Sequence, residues 1–200
     1  PASETVDVMD LLRKLRGKEL TAEQRAAALD PKARMRAAAP IIGYKPSSGV
    51  LIGVAGNLAF FRGDPATTNI SSNVASFTFS SKKQISLMAR SHVFGGDNRW
   101  ALDGDHRAQW TSLDTYGLGT STTTESAVNL EFDYFRVYDT AYVQVRRNLH
   151  AGLGFHLSTH TSIGPGDDAD EAWDTSPFVT YSEANGFPLD SQTSAGTSLN

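Results

Sequence analysis

From residue 37 onward, large apolar residues alternate with small or polar ones at a period of two, which predicts strands with two unlike faces. Between Gly49 and Arg62 the even positions Val50, Ile52, Val54, Leu58 and Phe60 are apolar, while the odd ones include Gly49, Gly53, Ala55, Asn57 and Ala59. Between Lys83 and Phe94, the residues Ile85, Leu87, Ala89 and Val93 oppose Gln84, Ser86, Arg90 and His92. From Glu125 to Tyr138, the expected apolar side is Val128, Leu130, Phe132 and Tyr134, with Asn129, Glu131 and Asp133 opposite. From Leu149 to Leu157 an apolar set alternates with His150, Gly152, Gly154 and His156.

Turn chemistry divides this region. Lys45 to Gly49, Gly63 to Pro65, Ser81 to Lys83, Gly95 to Asn98, Gly117 to Thr124 and Arg147-Asn148 are rich in the residues that turns require. Eight strands are predicted, over 37–45, 49–62, 70–80, 83–94, 99–113, 123–145, 149–161 and 190–200, with local strand pairing at Phe178–Tyr181. Most exceed the ~5 to 6 residues typical of soluble sheets, and their length favours strands that cross a bilayer. A soluble β-sandwich binding module is the competing reading.

Trp100 and Trp110 share one face of their strand, about 33 Å apart at ~3.3 Å per residue. With strand tilt this separation fits an apolar band between two aromatic girdles, and Trp100, Trp110, Phe132 and Tyr134 are the candidates for lipid-girdle positions. Arg99, Asp103, Asp105 and Arg107 form a charge ladder on the opposite face. The candidate lumen-lining set is Arg90, His92, Arg99, Asp103, Asp105, Arg107, Asn129, Glu131, Asp133, His150 and His156. A cross-strand ionic network is expected between Asp103, Asp105, Arg107 and the group Asn129, Glu131, Asp133. Gly104 and His106 break the pattern, because parity puts them on the tryptophan face.

Residues 1–36 differ in composition. They carry many Ala, Leu and Arg residues and no aromatic one, and helical spacing of Val8, Leu11, Leu12 and Leu15 predicts a helical arm. Thr21 with Gln24 and the stop at Pro31 predict a second short helix. The opening Pro1-Ala2-Ser3-Glu4 reads as a processed mature start. Across the 200 residues, 18 Lys and Arg stand against 22 Asp and Glu, a net charge of −4 that disfavours nucleic-acid binding. The absence of cysteine removes thiolate metal sites and cysteine nucleophiles. A mean hydropathy of −0.31 looks soluble but is equally that of a transmembrane barrel, whose strands average apolar and polar positions.

The succession Pro40 to Tyr44, Pro46 to Gly49 with Gly53, Ser80 to Gln84, Asp97 to Trp100 and Tyr116-Gly-Leu-Gly119 resembles the bacterial surface antigen family, the barrel portion of BamA/TamA-type outer-membrane proteins. The resemblance covers roughly residues 38–200. It implies an all-β, antiparallel transmembrane β-barrel in the bacterial outer membrane, of sixteen strands in the family, so that about eight strands here form half of it. The arm over 1–36 is then periplasmic, residues 37–200 are a partial barrel, and the partners are outer-membrane lipid and the remaining half of the barrel, from downstream sequence or a second chain. The larger members insert or translocate other membrane proteins, which adds protein clients as partners. The roughly 40 residues ahead of the expected barrel are too few for POTRA modules, a departure from those members that lowers the expectation of insertion or translocation.

Other chemistry is weakly signalled. His150, His156 and His160 lie too far apart along a strand for one metal. Ser158 with His156 or His160 lacks a fixed triad geometry. The acidic stretch Gly164 to Asp174 has no calcium-loop spacing and reads as an outer loop. No enzyme activity and no cofactor are expected. Protein insertion or translocation is the first functional expectation, and a passive channel or structural surface barrel the alternative.

Overall fold

The computed structural model describes residues 34–116, 127–166 and 172–200. The expected helical arm lies outside the described residues up to position 33, and Met35 and Arg36 already belong to the first strand. The fold is all-β, with eight strands: β1 (Met35–Lys45), β2 (Gly49–Phe60), β3 (Ser71–Ser80), β4 (Ile85–Gly95), β5 (Trp100–Thr115), β6 (Val128–Arg146), β7 (Leu149–Pro165) and β8 (Gln192–Leu199). All eight predicted strands are present, each within a few residues of its expected bounds where described. They form one antiparallel sheet in the order β1-β2-β3-β4-β5-β6-β7-β8. The sheet is open, with β1 and β8 as its two edges among the described residues.

One expectation fails at Phe178–Tyr181. The segment is not extended but forms the helix α1 (Pro177–Asn185). Phe178, Val179, Thr180 and Tyr181 favour strands by propensity, but the ends of the segment specify a helix. Ser176 Oγ accepts from the Val179 N–H at 3.2 Å, Pro177 takes the first turn where its missing N–H costs nothing, and Gly186 closes the helix at φ 70°.

The hairpin ends are tied sideways as well as along the strands. At one end the 61–70 connection packs on the turn after β4. Thr67 and Thr68 hydroxyls donate to Asp97 Oδ1 at 3.0 and 3.2 Å, the Asn69 N–H donates to Asn98 Oδ1 at 2.7 Å, and Asn98 Nδ2 returns a bond to Thr67 O at 2.9 Å. His150 Nε2, at the start of β7, bonds Asn98 O at 3.0 Å. At the opposite end Gln84 Nε2 reaches Ser112 O at 3.2 Å and Ser112 Oγ at 2.8 Å.

Register fixes which side chains share a face. Trp100, Leu102, Gly104, His106, Ala108 and Trp110 of β5 lie on one side, opposite Gly95, Val93, Ser91, Ala89, Leu87 and Ile85 of β4. The same side continues through Phe77 and Phe79 of β3, Val54 and Ile52 of β2, and Pro40 and Ile42 of β1. In the other direction it runs through Phe135, Val137, Ala141 and Val143 of β6 to Leu153, Phe155 and Leu157 of β7. This apolar face is exposed: Ile52, Phe77, Leu87, Leu102, Phe135 and Leu153 all lie open. Among the described residues the only buried apolar side chains are Ala101, Val128, Leu130, Tyr134 and Val179, so the sheet has no ordinary core.

The indole of Trp100 covers Gly95, its partner on β4, where a Cβ would overlap the ring. The Arg62 guanidinium stands 5.3 Å from the centre of the same indole. Gly95→Val should therefore expel the ring and cost ~1 to 3 kcal/mol. Gly43→Ala, with no atom near its added methyl, should stay within ~0.5 kcal/mol. Denaturant titration of the folded protein, followed by tryptophan fluorescence, measures both.

Candidate functional site: the polar face of β4 to β7

Four strands build one charged surface. Arg90 and His92 of β4 lie opposite Asp105 and Asp103 of β5, and Asp105 and Arg107 lie opposite Tyr138 and Arg136 of β6. Tyr134, Arg136 and Tyr138 in turn oppose His160, Ser158 and His156 of β7. All of these side chains point away from the tryptophans.

Asp105 is the centre. Arg107 grips it with two bonds, Nε to Oδ1 at 2.8 Å and Nη2 to Oδ2 at 2.7 Å, the bidentate geometry for which a planar guanidinium is suited. Arg90 Nε stands 3.4 Å and Arg136 Nη1 3.8 Å from Oδ2. Three guanidiniums thus share one carboxylate, and the cluster is cationic by two charges. Asp105, Arg107 and Arg136 are each about a quarter exposed and Arg90 more than half, so the excess charge meets solvent. Asp103 is engaged separately by His92 Nδ1.

Aromatic rings hold the far side. Arg136 Nε donates to the Tyr134 hydroxyl at 2.6 Å, and its guanidinium lies 4.5 Å from the Tyr138 ring centre. Tyr138 stacks on His156 at 4.6 Å, and His160 packs against Tyr134 at 4.7 Å and Phe132 at 5.3 Å. These contacts fix a long, flexible arginine in one orientation through a cation–π contact and a hydrogen bond.

Several expected placements are corrected. Phe132 and Tyr134, expected in the lipid girdle, share the face of Asp105 and Arg107. Leu130 and Val128 go with them. Asn129, Glu131 and Asp133, expected beside Asp103 and Asp105, lie on the tryptophan face instead, opposite Asp114, Ser112 and Trp110. The ionic network between those two groups is therefore absent. Asn129 Nδ2 donates to Asp114 Oδ1 at 2.7 Å, and Asp133 Oδ2 accepts from Ser162 Oγ at 3.0 Å. The cause is the length of β6. Its lower half carries the apolar residues at odd positions, Phe135, Val137, Ala141 and Val143, and its upper half at even ones, so the strand changes its apolar side near Tyr134. Beyond Trp110 the tryptophan face becomes polar, through Ser112, Asp114, Asn129 and Glu131. Arg99 is exposed in the turn before β5 and takes no part in the cluster.

Arg90, His92, Asp103, Asp105, Arg107, His150 and His156 do share one face. Arg136 and Tyr138 complete the surface and were not among the expected residues, while His160 shares the strand face of His156 as its spacing predicts. The parity of Arg136 between Phe135 and Val137 is the signal that finds it. Ser158 Oγ approaches the Tyr134 hydroxyl at 3.4 Å, with no bond to either neighbouring histidine. No group of three metal-ligating side chains exists among the described residues. The acidic positions 167–171 lie outside them. What this surface offers chemically is a fixed, wetted concentration of positive charge.

In comparison with known proteins, no family model matches the chain, no curated protein matches it, and no solved structure is significantly similar. The surface antigen resemblance rests on the motifs quoted above.

Asp105→Asn should destabilise the folded sheet by ~1 to 3 kcal/mol, the range for a hydrogen bond to a charged group together with the repulsion left among the arginines. The pair Asp105→Asn with Arg107→Gln should cost less than the sum of the two single changes, because the second removes part of that repulsion. A double-mutant cycle by denaturant titration gives the coupling, and strict additivity would show that the cluster is not coupled.

Proposed function

We propose that this chain forms part of the wall of an integral outer-membrane β-barrel, with the apolar face toward lipid and the Arg90–Asp105–Arg107–Arg136 face toward an aqueous lumen. The observation that carries the reading is the sorting of faces over the span between Trp100 and Trp110: each of the seven strands β1 to β7 contributes large apolar residues to one exposed side, and the charge cluster stands on the other, which it shares with Val128, Leu130, Phe132 and Tyr134 at the far end of β6. A soluble β-sandwich buries its apolar side against a second sheet, whereas a barrel wall turns it outward. Strand lengths of 10 to 12 residues in β1 to β4 suit the ~9 to 11 that a tilted strand needs to cross the hydrocarbon. The open edges at β1 and β8 call for further strands, since unpaired backbone groups are costly in lipid.

Insertion or translocation of client proteins is the activity that the family resemblance implies. A passive channel is the second reading, and the cationic cluster favours it, because rings of Arg and Lys line pores that pass anions.

The barrel reading is tested by topology. With β1 ascending from the periplasm, single cysteines at Ser47 and Lys82 should react with an impermeant maleimide on intact cells. Cysteines at Ala66 and Asn98 should react only once the outer membrane is breached. Labelling of all four on intact cells, or release of the chain from membranes by urea, would overturn the reading. In planar bilayers an anion-preferring conductance would favour the channel, and accelerated folding of a client barrel without conductance would favour insertion.

A further inference from the structure

The apolar face carries one ionisable pair in its middle. His106 lies six residues from Trp100 and four from Trp110, on the same side as both. Its Nε2 bonds Asp139 of β6, at 3.0 Å to Oδ1 and 3.2 Å to Oδ2. Gly104, which opposes Asp139 in the register, leaves the pair uncovered, and a Cβ there would stand only 3.0 Å from Asp139 Oδ1. Ser91 and Asn73 extend the polar row across β4 and β3. His106 remains 46% and Asp139 54% exposed. Each satisfies one partner within the chain and turns its remaining polar capacity outward.

Lipid tails provide neither donor nor acceptor, and ionisable groups at this depth are costly and mark function. Two grooves flank the pair. One, of about 550 Å³, has a floor of Gly56, Ala75 and Ala89 and walls that include Phe77, Leu87 and Phe135 beside His106. The other, of about 480 Å³, runs between Leu102 and Leu153 with Asp139 on its lining.

We infer that this face docks a second copy of the chain about a two-fold axis along the membrane normal, with His106 of each copy facing Asp139 of the other. The inference rests on the membrane-wall reading above. Charge complementarity selects the occupant. The polar atoms of His106 and Asp139 are 3.0 Å apart and so lie at nearly one depth. Copies inserted in the same orientation can be related only by an axis along the normal, which preserves depth. A two-fold axis passing between the two residues then brings unlike members together twice, as an isologous interface requires. Apolar side chains such as Phe135 and Leu153 of one copy meet the grooves of the other.

Since the chain contains no cysteine, one introduced cysteine reports contact cleanly. Val137 sits opposite His106 and two residues from Asp139, so Val137→Cys lies near the proposed axis. A short membrane-permeant bis-maleimide applied to membranes holding the full chain should give a cross-linked product of twice the chain mass. Adding His106→Asp or Asp139→His alone should lower its yield at least tenfold, since like groups then face one another. Co-expressing those two variants, one carrying a size tag, should restore a mixed dimer to near the original yield. Heat-modifiable mobility of each variant in detergent confirms that it has folded. No dimer with the unaltered pair, a dimer insensitive to both exchanges, or cross-links only to other proteins would each overturn the inference. Release of the chain by urea would overturn the membrane reading and this inference together, whereas a retained monomer would overturn the inference alone.

Discussion

The structure depends on the alternation of side chains along a strand. A β-strand sends successive residues to opposite sides, so a sheet whose strands keep register can hold two unlike surroundings apart with a single layer of backbone. Among the described residues the register is continuous from β1 to β6, and the only shifts occur in the β6–β7 pair, between Glu131 and Asp133 and between Gln144 and Arg146. Both lie toward the ends of those strands, and the long stretch between them keeps its parity. Without that continuity the arginines of three strands would not converge on Asp105, and the tryptophans would not share a side.

Much of this was legible in the sequence because it is local. Turn residues marked the hairpins, and two-residue periodicity marked the strands between them. The face of β6 is not legible because two alternating patterns of opposite parity meet within one strand, Val128 to Tyr134 at even positions and Phe135 to Val143 at odd ones. The loop before β6 gives no clue to pairing register, so the choice between parities is made by long-range hydrogen bonding. Helix α1 is hidden for a different reason: Phe178 to Tyr181 has strand propensity, and the capping residues Ser176 and Gly186 outweigh it. The polar cluster was half legible. Asp105 and Arg107 announce themselves two residues apart on one strand, while Arg136 joins them only once the β5–β6 register is known.

The two faces also differ in how they hold polar groups. On the charged side, guanidiniums, rings and a carboxylate interlock across four strands, and each long side chain is restrained by at least one neighbour. On the apolar side, the polar groups of the middle form one short row, Asn73, Ser91, His106 and Asp139, and small residues such as Gly56, Ala75 and Ala89 line the groove beside it.

The strand order carries a consequence for how the sheet can be built. Each strand pairs with its neighbour in sequence and no connection crosses another, so the layer can grow by one hairpin at a time, and no pairing has to wait for a distant segment. At every stage all but one of the strands laid down are paired on both sides or belong to the starting edge. The growing rim is the single row of unpaired N–H and C=O groups on the newest strand. Any partner, lipid boundary or further strand that meets this rim meets a front that moves steadily along the chain, and among the described residues that front stands at β8.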